Sequence, residues 1–174
     1  MKNLLDTIFF RSNNLHNISQ SIRDLTKNTP VNKIFKAINS HSLDSEVRFV
    51  GGCIRKIINK ETVNDIDMAT NLDPQKVCEV LKENKINYYD TGIEHGTITA
   101  LIEGYKFEIT SLREDISTDG RHAKVKFSKI WKEDALRRDF TINSIYADEE
   151  GNLFDPFEGK KDLENGFVNF IGDA

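Results

Sequence analysis

The chain has 174 residues, of which 38% are hydrophobic and 30% charged. That balance suits a globular protein long enough to hide about 70% of its unfolded surface. A formal net charge of −4 and two cysteines exclude a globally basic nucleic-acid binder and a disulfide scaffold. No apolar run reaches the roughly 20 residues of a membrane span.

His16, His41, His95 and His122 are scattered and lack zinc-type spacing with Cys53 or Cys78. The sparse cysteines favour a reducing compartment and hence the cytoplasm. The segment 1–28 is polar and Asn/Ser-rich around Leu4, Leu5, Ile8, Phe9 and Phe10. It is read as a non-catalytic appendage, and Asp6 and Asp24 argue against a transit peptide. Residues 29–174 are read as one domain.

Thr29-Pro30 predicts a helix start, and Val31, Ile34, Phe35 and Ile38 follow at helical spacing. Val47 to Val50 is a β-type run ending at Gly51-Gly52, after which Ile54, Ile57 and Ile58 restart helical spacing. A second strand is predicted over Val63 to Met68, and Asp73-Pro74 opens a helix with Val77, Val80 and Leu81 on one face. Ile86 to Tyr89 reads as a strand. Thr97 to Ile102 and Tyr105 to Leu112 read as a hairpin turning at Glu103-Gly104. Glu114 to His122 is polar without periodicity and predicts a mobile loop. Trp131 to Arg138 is helix-compatible, and Asp139 is placed to cap a helix carrying Ile142, Ile145 and Tyr146. The sum is one α/β (α+β) domain with a mixed, mostly antiparallel sheet flanked by helices.

Side chains two apart on a strand share a face, so Asp65 and Asp67 project together. Two carboxylates held that close repel, and a divalent cation removes the conflict. An oxygen-only donor set favours Mg²⁺. Glu108 alternates with the apolar Phe107 and Ile109 and must leave the core face. On a neighbouring strand it would complete a two-metal site for phosphoryl transfer. Taken singly, each acid also fits a solvated strand edge; the conjunction gives the pattern its weight. At Gly51-Gly52 a strand meets a helix, where missing Cβ atoms let backbone N–H groups approach an anion, with Arg55 one turn on. A simple tight turn is the plainer reading of the glycines alone.

Gly51-Gly52-Cys53-Ile54-Arg55 followed by Asp65-Ile66-Asp67 resembles the motif of the class II tRNA nucleotidyltransferase (CCA-adding) and bacterial poly(A) polymerase family. His95 to Thr99, Phe107 to Arg113, Thr118 to His122, Arg137 to Ser144, and Asp155 to Gly159 with Asp162-Leu163 resemble its further motifs in order. The resemblance runs from about Val47 to the end. It implies a polymerase-β-like nucleotidyltransferase head domain in which Asp65 and Asp67 hold catalytic metals and Glu108 is the third carboxylate. Arg138, Asp139 and Asn143 would then contact the incoming nucleotide, with Gly51, Gly52 and Arg55 at the triphosphate. Arg113 and Arg121 are candidates for contact with the RNA end or the triphosphate; a solvated surface is the alternative for both. Lys124, Lys126, Lys129 and Lys132 form a local basic stretch that suits either an RNA backbone or solvent.

The implied reaction is transfer of CMP and AMP from CTP and ATP to the 3′ end of tRNA, with Mg²⁺ as cofactor and no membrane partner. A poly(A) polymerase head, or a non-catalytic truncated remnant serving as an RNA-binding module, remains open. Lys56 departs from the family pattern, which has an acid there. The resemblance further implies helical neck, body and tail domains that select the nucleotide and grip the tRNA. This sequence does not contain them, so a separate helical-domain chain is one expected source.

Overall fold

The computed structural model describes residues 17–118 and 123–172. A helix over residues 17–28, α1, leads into α2 (Asn32–Asn39), β1 (Val47–Val50), α3 (Gly52–Ile58) and β2 (Ile66–Thr70). Next come α4 (Pro74–Glu83), β3 (Asn87–Gly92), β4 (Thr97–Ile102), β5 (Tyr105–Ser111), β6 (Arg113–Thr118) and β7 (Ala123–Phe127). The chain closes with α5 (Trp131–Leu136), β8 (Tyr146–Ala147), β9 (Leu153–Phe154) and α6 (Gly159–Asn165).

Seven strands form one sheet in the order β3-β4-β5-β2-β1-β8-β9, and β6 and β7 pair separately. The pairing of β2 with β5 is parallel, while the other neighbours in the sheet run antiparallel. The mixed, mostly antiparallel sheet expected from the sequence is therefore the one observed.

Alternation along the strands divides the sheet into two chemically different faces. Val47, Phe49, Ile66, Met68, Ile98, Ala100, Phe107 and Ile109 turn to one face and build the main core with α1, α2, α3 and α4. Phe35 meets Phe49 edge to face at 4.9 Å within it. The residues between them, Arg48, Asp67, Thr97, Thr99, Glu108 and Thr110, turn the other way. One end of that second face is covered by a smaller cluster of Val50, Ala69, Leu112, Ala135 and Tyr146, with Trp131 and Phe154 against it. The Arg48 guanidinium lies 4.0 Å from the Trp131 ring centre and is tied to Glu46.

Local signals hold where the chemistry is short-range. Asp73 caps α4 by accepting from the Lys76 N–H (2.8 Å), with Pro74 as the first helical residue. Glu103 and Gly104 both take positive φ (52° and 83°), as the tight β4–β5 turn requires. Gly159 sits so close to residues 141–142 that a Cβ there would lie 2.1 Å from the Thr141 carbonyl oxygen.

Five expectations are corrected. Residues 17–28 do not stand apart from the domain, because Ile18 and Ile22 are buried in the main core. The Thr29 hydroxyl donates back to the Leu25 carbonyl (2.8 Å), and α2 starts without a side-chain cap. The β2 ladder begins at Ile66, so Asp65 lies just ahead of the strand and is exposed. Of the stretch Glu114 to His122 expected as a loop, residues 114–118 belong to β6, which pairs with β7, and 119–122 lie outside the described residues. Asp139 caps no α-helix: a 3₁₀ turn (Thr141–Asn143) and β8 follow it. Ile142 and Ile145 lie too close together for more than one turn before Tyr146 joins the sheet. No helix among the described residues is long and apolar enough to cross a membrane.

The buried position of Ile22 makes a direct prediction. Ile22→Ala should lower the unfolding free energy by about 2–5 kcal/mol, whereas Leu43→Ala, at a fully exposed side chain, should change it by less than about 0.5 kcal/mol. Urea titration of both variants checks this, and equal stability of the two would remove α1 from the core.

Candidate active site

The second face of the sheet opens into a cleft of about 460 Å³ between the strands, the β1–α3 turn and the segment after α5. The parallel register sets Asp67 opposite Glu108, and the antiparallel register on the other side sets Thr99 opposite Glu108. Neighbouring strands lie about 4.8 Å apart, so the two acids occupy adjacent places on one face. Thr97 and Thr110 join hydroxyls at 3.1 Å beside them.

Asp67 is half-buried, and its carboxyl pKa is raised. Burial is the largest cause, followed by the charges of Glu108 and then Asp65; Arg138 and Lys56 oppose them. Asp65 thus acts on Asp67 through its field but does not itself line the cleft. Among the described residues, no group of three or more His, Cys, Asp or Glu side chains is already gathered tightly enough to hold a metal ion. The donor set still fits one: oxygen ligands only, with an acid whose ionisation its acidic neighbours resist.

Arg55, Arg113, Arg137 and Arg138 line the same cleft as the acids. Gly51 (φ 68°) turns the chain from β1 into α3, a backbone angle that favours glycine. Its N–H donates to the Ile145 carbonyl (3.2 Å), and its carbonyl accepts from the Arg55 N–H (3.0 Å). A Cβ added at Gly52 would meet nothing within 4 Å. Arg55 Nη1 donates to Asn143 Oδ1, and Asn143 Nδ2 donates to Asp139 Oδ1 (3.0 Å), so three expected site residues form one chain of contacts. The hydrogen bond from the Asn143 amide is the main cause that holds the Asp139 carboxyl below its usual range; burial opposes it, and the Phe140 N–H adds to it.

Arg138 Nη1 donates to the Asn143 carbonyl (3.3 Å), close to the Gly51 turn. Arg113 lines the same cleft and donates to the His95 carbonyl.

Of the residues expected from sequence, Gly51, Gly52, Arg55, Asp67, Glu108, Arg113, Arg138, Asp139 and Asn143 line this one cleft. Asp65 is exposed and is not among the lining residues, and Arg121 lies outside the described residues. Of the basic stretch, Lys126 is paired with Glu114 across the β6–β7 hairpin.

Sequence reading did not single out Thr97 and Thr110, whose alternation with Ile98 and Ile109 was the available signal. It also missed Asp134, a buried acid three and four residues ahead of Arg137 and Arg138. That spacing on a helix is the signal that would have found it.

The sequence matches the family described as Poly A polymerase head domain over residues 47–169. It is 45% identical over 130 residues to the human protein named CCA tRNA nucleotidyltransferase 1, mitochondrial, covering 74% of this chain and 30% of the relative. Against the CCA-adding enzyme of Lactobacillus johnsonii it is 37% identical over 143 residues, covering 81% and 34%. The fold superposes on the Bacillus stearothermophilus CCA-adding enzyme in complex with CTP with a TM-score of 0.69 and 30% identity, covering 80% of this chain and 32% of that one. The chain spans about a third of the length of the curated relatives it matches.

The raised pKa of Asp67 fixes the sign of a pH effect. Its folded value lies above the ordinary 3.8, so the native state holds the proton more tightly than the unfolded chain. The resulting penalty is absent below the ordinary value and fully present above the raised one. Asp67→Asn should therefore raise the metal-free thermal midpoint at pH 7, and that gain should vanish once the pH falls below 3.8. Scanning calorimetry from pH 3 to pH 8 checks both; a loss of stability at pH 7 would mean that the acids are not in conflict.

Proposed function

The chain belongs to the Poly A polymerase head domain family, and we propose that it is the catalytic head of a template-independent tRNA nucleotidyltransferase. The observation that carries this is the single cleft that Asp67 and Glu108 line together with Arg55, Arg113, Arg137 and Arg138. The acids suit cations, and the arginines suit a polyphosphate.

In the reaction, the 3′-hydroxyl oxygen of the RNA forms a bond to the α-phosphorus of CTP or ATP. The bond to the β-phosphate oxygen breaks, pyrophosphate leaves, and the hydroxyl proton passes to solvent. Asp65, Asp67 and Glu108 would hold Mg²⁺, which when bound neutralises phosphate charge and makes the attacking hydroxyl more acidic. Arg55 and Arg138 hold the triphosphate beside the Gly51-Gly52 turn, where the open space at Gly52 admits it. Asn143 and Asp139, braced by each other and by Arg55, present polar atoms to the ribose and phosphates. Arg113 adds positive charge at the cleft's mouth for the triphosphate or the RNA end. Arg121 is assigned the same candidate role on sequence grounds alone. Positioning and charge balance account for most of the expected rate.

The named activities of the relatives favour CCA addition over poly(A) addition. Base selection and most of the RNA grip are assigned to helical domains outside residues 1–174, in the same polypeptide or a separate chain. Both cysteines are free, and burial pushes the Cys53 thiol up to about 12.

The test is incorporation of labelled CMP and AMP into tRNA lacking its terminal CCA, with Mg²⁺, alongside calorimetric binding of CTP. Wild-type protein should bind CTP only when Mg²⁺ is present. Asp67→Ala should lower incorporation and Mg²⁺-dependent CTP affinity, incorporation by at least about 100-fold. Wild-type protein that neither incorporates nucleotide nor binds CTP with Mg²⁺ would overturn the reading.

A further inference from the structure

We propose that Asp134 is a positioning residue that sets the orientation of the arginine pair for the nucleotide's phosphates; this rests on the nucleotidyltransferase reading above. Asp134 lies in α5 with its side chain 1% exposed, yet it is charged. Its Oδ1 accepts from Arg137 Nε (2.9 Å) and Nη2 (2.8 Å), and also from the Arg113 backbone N–H (3.3 Å). Its Oδ2 accepts from Arg138 Nη2 (3.1 Å), Arg138 Nε (3.3 Å) and the Tyr146 hydroxyl (2.7 Å). Both carboxylate oxygens are thus committed, each to a different arginine.

Two guanidiniums on consecutive residues repel and would splay apart without an acid between them. Asp134 is spaced three and four residues ahead of them, so both side chains fold back onto it. Burial works against its charge, but Arg138, Arg137 and the Tyr146 hydroxyl together hold the carboxyl below its usual range.

The grip uses one edge of the Arg138 guanidinium and leaves Nη1 directed at the Asn143 carbonyl and the Gly51 turn. Gly51, Asn143 and Arg138 all line the cleft. The Arg113 N–H bond adds the base of the β6–β7 hairpin to the same carboxylate. Asp134 does not line the cleft, so its effect on a ligand must pass through the arginines.

An Asn at this position keeps the shape but loses the charge, and it turns an amide donor toward guanidinium donors. The probe is tripolyphosphate in the presence of Mg²⁺, measured by calorimetry on the full chain, with Mg²⁺ alone as the second titration. Asp134→Asn should weaken tripolyphosphate binding at least about tenfold and leave Mg²⁺ affinity within about twofold, since the acids are on other elements. Unchanged tripolyphosphate affinity overturns the proposal, and so does an equal loss of both ligands, which is the mark of general disruption. Should Asp134→Asn fail to fold, Tyr146→Phe removes a donor to the same carboxylate (2.7 Å) together with an acceptor of the Arg138 Nε–H (3.1 Å), so it loosens the same Asp134–Arg138 grip. It should weaken tripolyphosphate about twofold or more with Mg²⁺ affinity unchanged, and wild-type affinity in that variant overturns the proposal. A wild-type chain that binds no tripolyphosphate overturns the nucleotide reading and this proposal together, whereas wild-type binding retained in full by the variants overturns this proposal alone.

Discussion

The parallel pairing of β2 with β5 sets two acids side by side on a sheet face that the main core leaves uncovered. Strand alternation makes this unavoidable: once Ile66, Met68, Phe107 and Ile109 are buried on one face, Asp67 and Glu108 share the other. A slip of one residue in either strand would drive an acid into the core and bring apolar groups to the surface. The hydrophobic core that gives the domain its stability therefore also fixes the register of its acids. Stability and site geometry are two consequences of one pattern.

Such an arrangement needs compensation, and the segment after α5 supplies it. Arg138 is the leading influence opposing the rise in the Asp67 pKa, yet Arg138 is itself largely buried and needs an anion of its own. Asp134 provides that anion and is held ionised by the arginines it serves. Breaking a buried pair by deleting one partner typically costs about 3–5 kcal/mol, far more than an exposed pair such as Lys33–Glu103, worth at most about 1 kcal/mol. The charges that matter to this fold are the few near the cleft. Surface pairs add little.

Much of this was legible in the sequence because it depends on short spacings. The Asp73-Pro74 helix start, the Glu103-Gly104 turn and the alternation around Glu108 each depend on two to four neighbouring residues. What was not legible depends on distant partners. Ile18 and Ile22 reach the core only because α1 packs against elements far along the chain, and the polar Asn/Ser-rich sequence around them hides that face. The strands β6 and β7 carry charged residues and little apolar alternation, yet cross-strand hydrogen bonding joins them into a hairpin. Asp139 has the type and place of a helix cap, but the Phe140 N–H and the Asn143 amide take its oxygen instead. The acid–arginine pattern at Asp134, Arg137 and Arg138 was present throughout. It passes for an ordinary helix-surface pair until burial is known.

Lys56 stands where the family resemblance implies an acid, a reversal that would at first suggest a weakened site. Its field points the other way for ionisation. Burial, Glu108 and Asp65 all push Asp67 towards its protonated form, and Lys56 joins Arg138 in resisting them. An acid at 56 would have added a third negative neighbour. On a bound dication the same lysine acts unfavourably, since like charges repel, so its two effects oppose each other. Lys56 ranks below Arg138, Asp65 and Glu108 in its effect on Asp67. A change of sign at the weakest of these positions adjusts the field of the cleft without replacing the acids that define it.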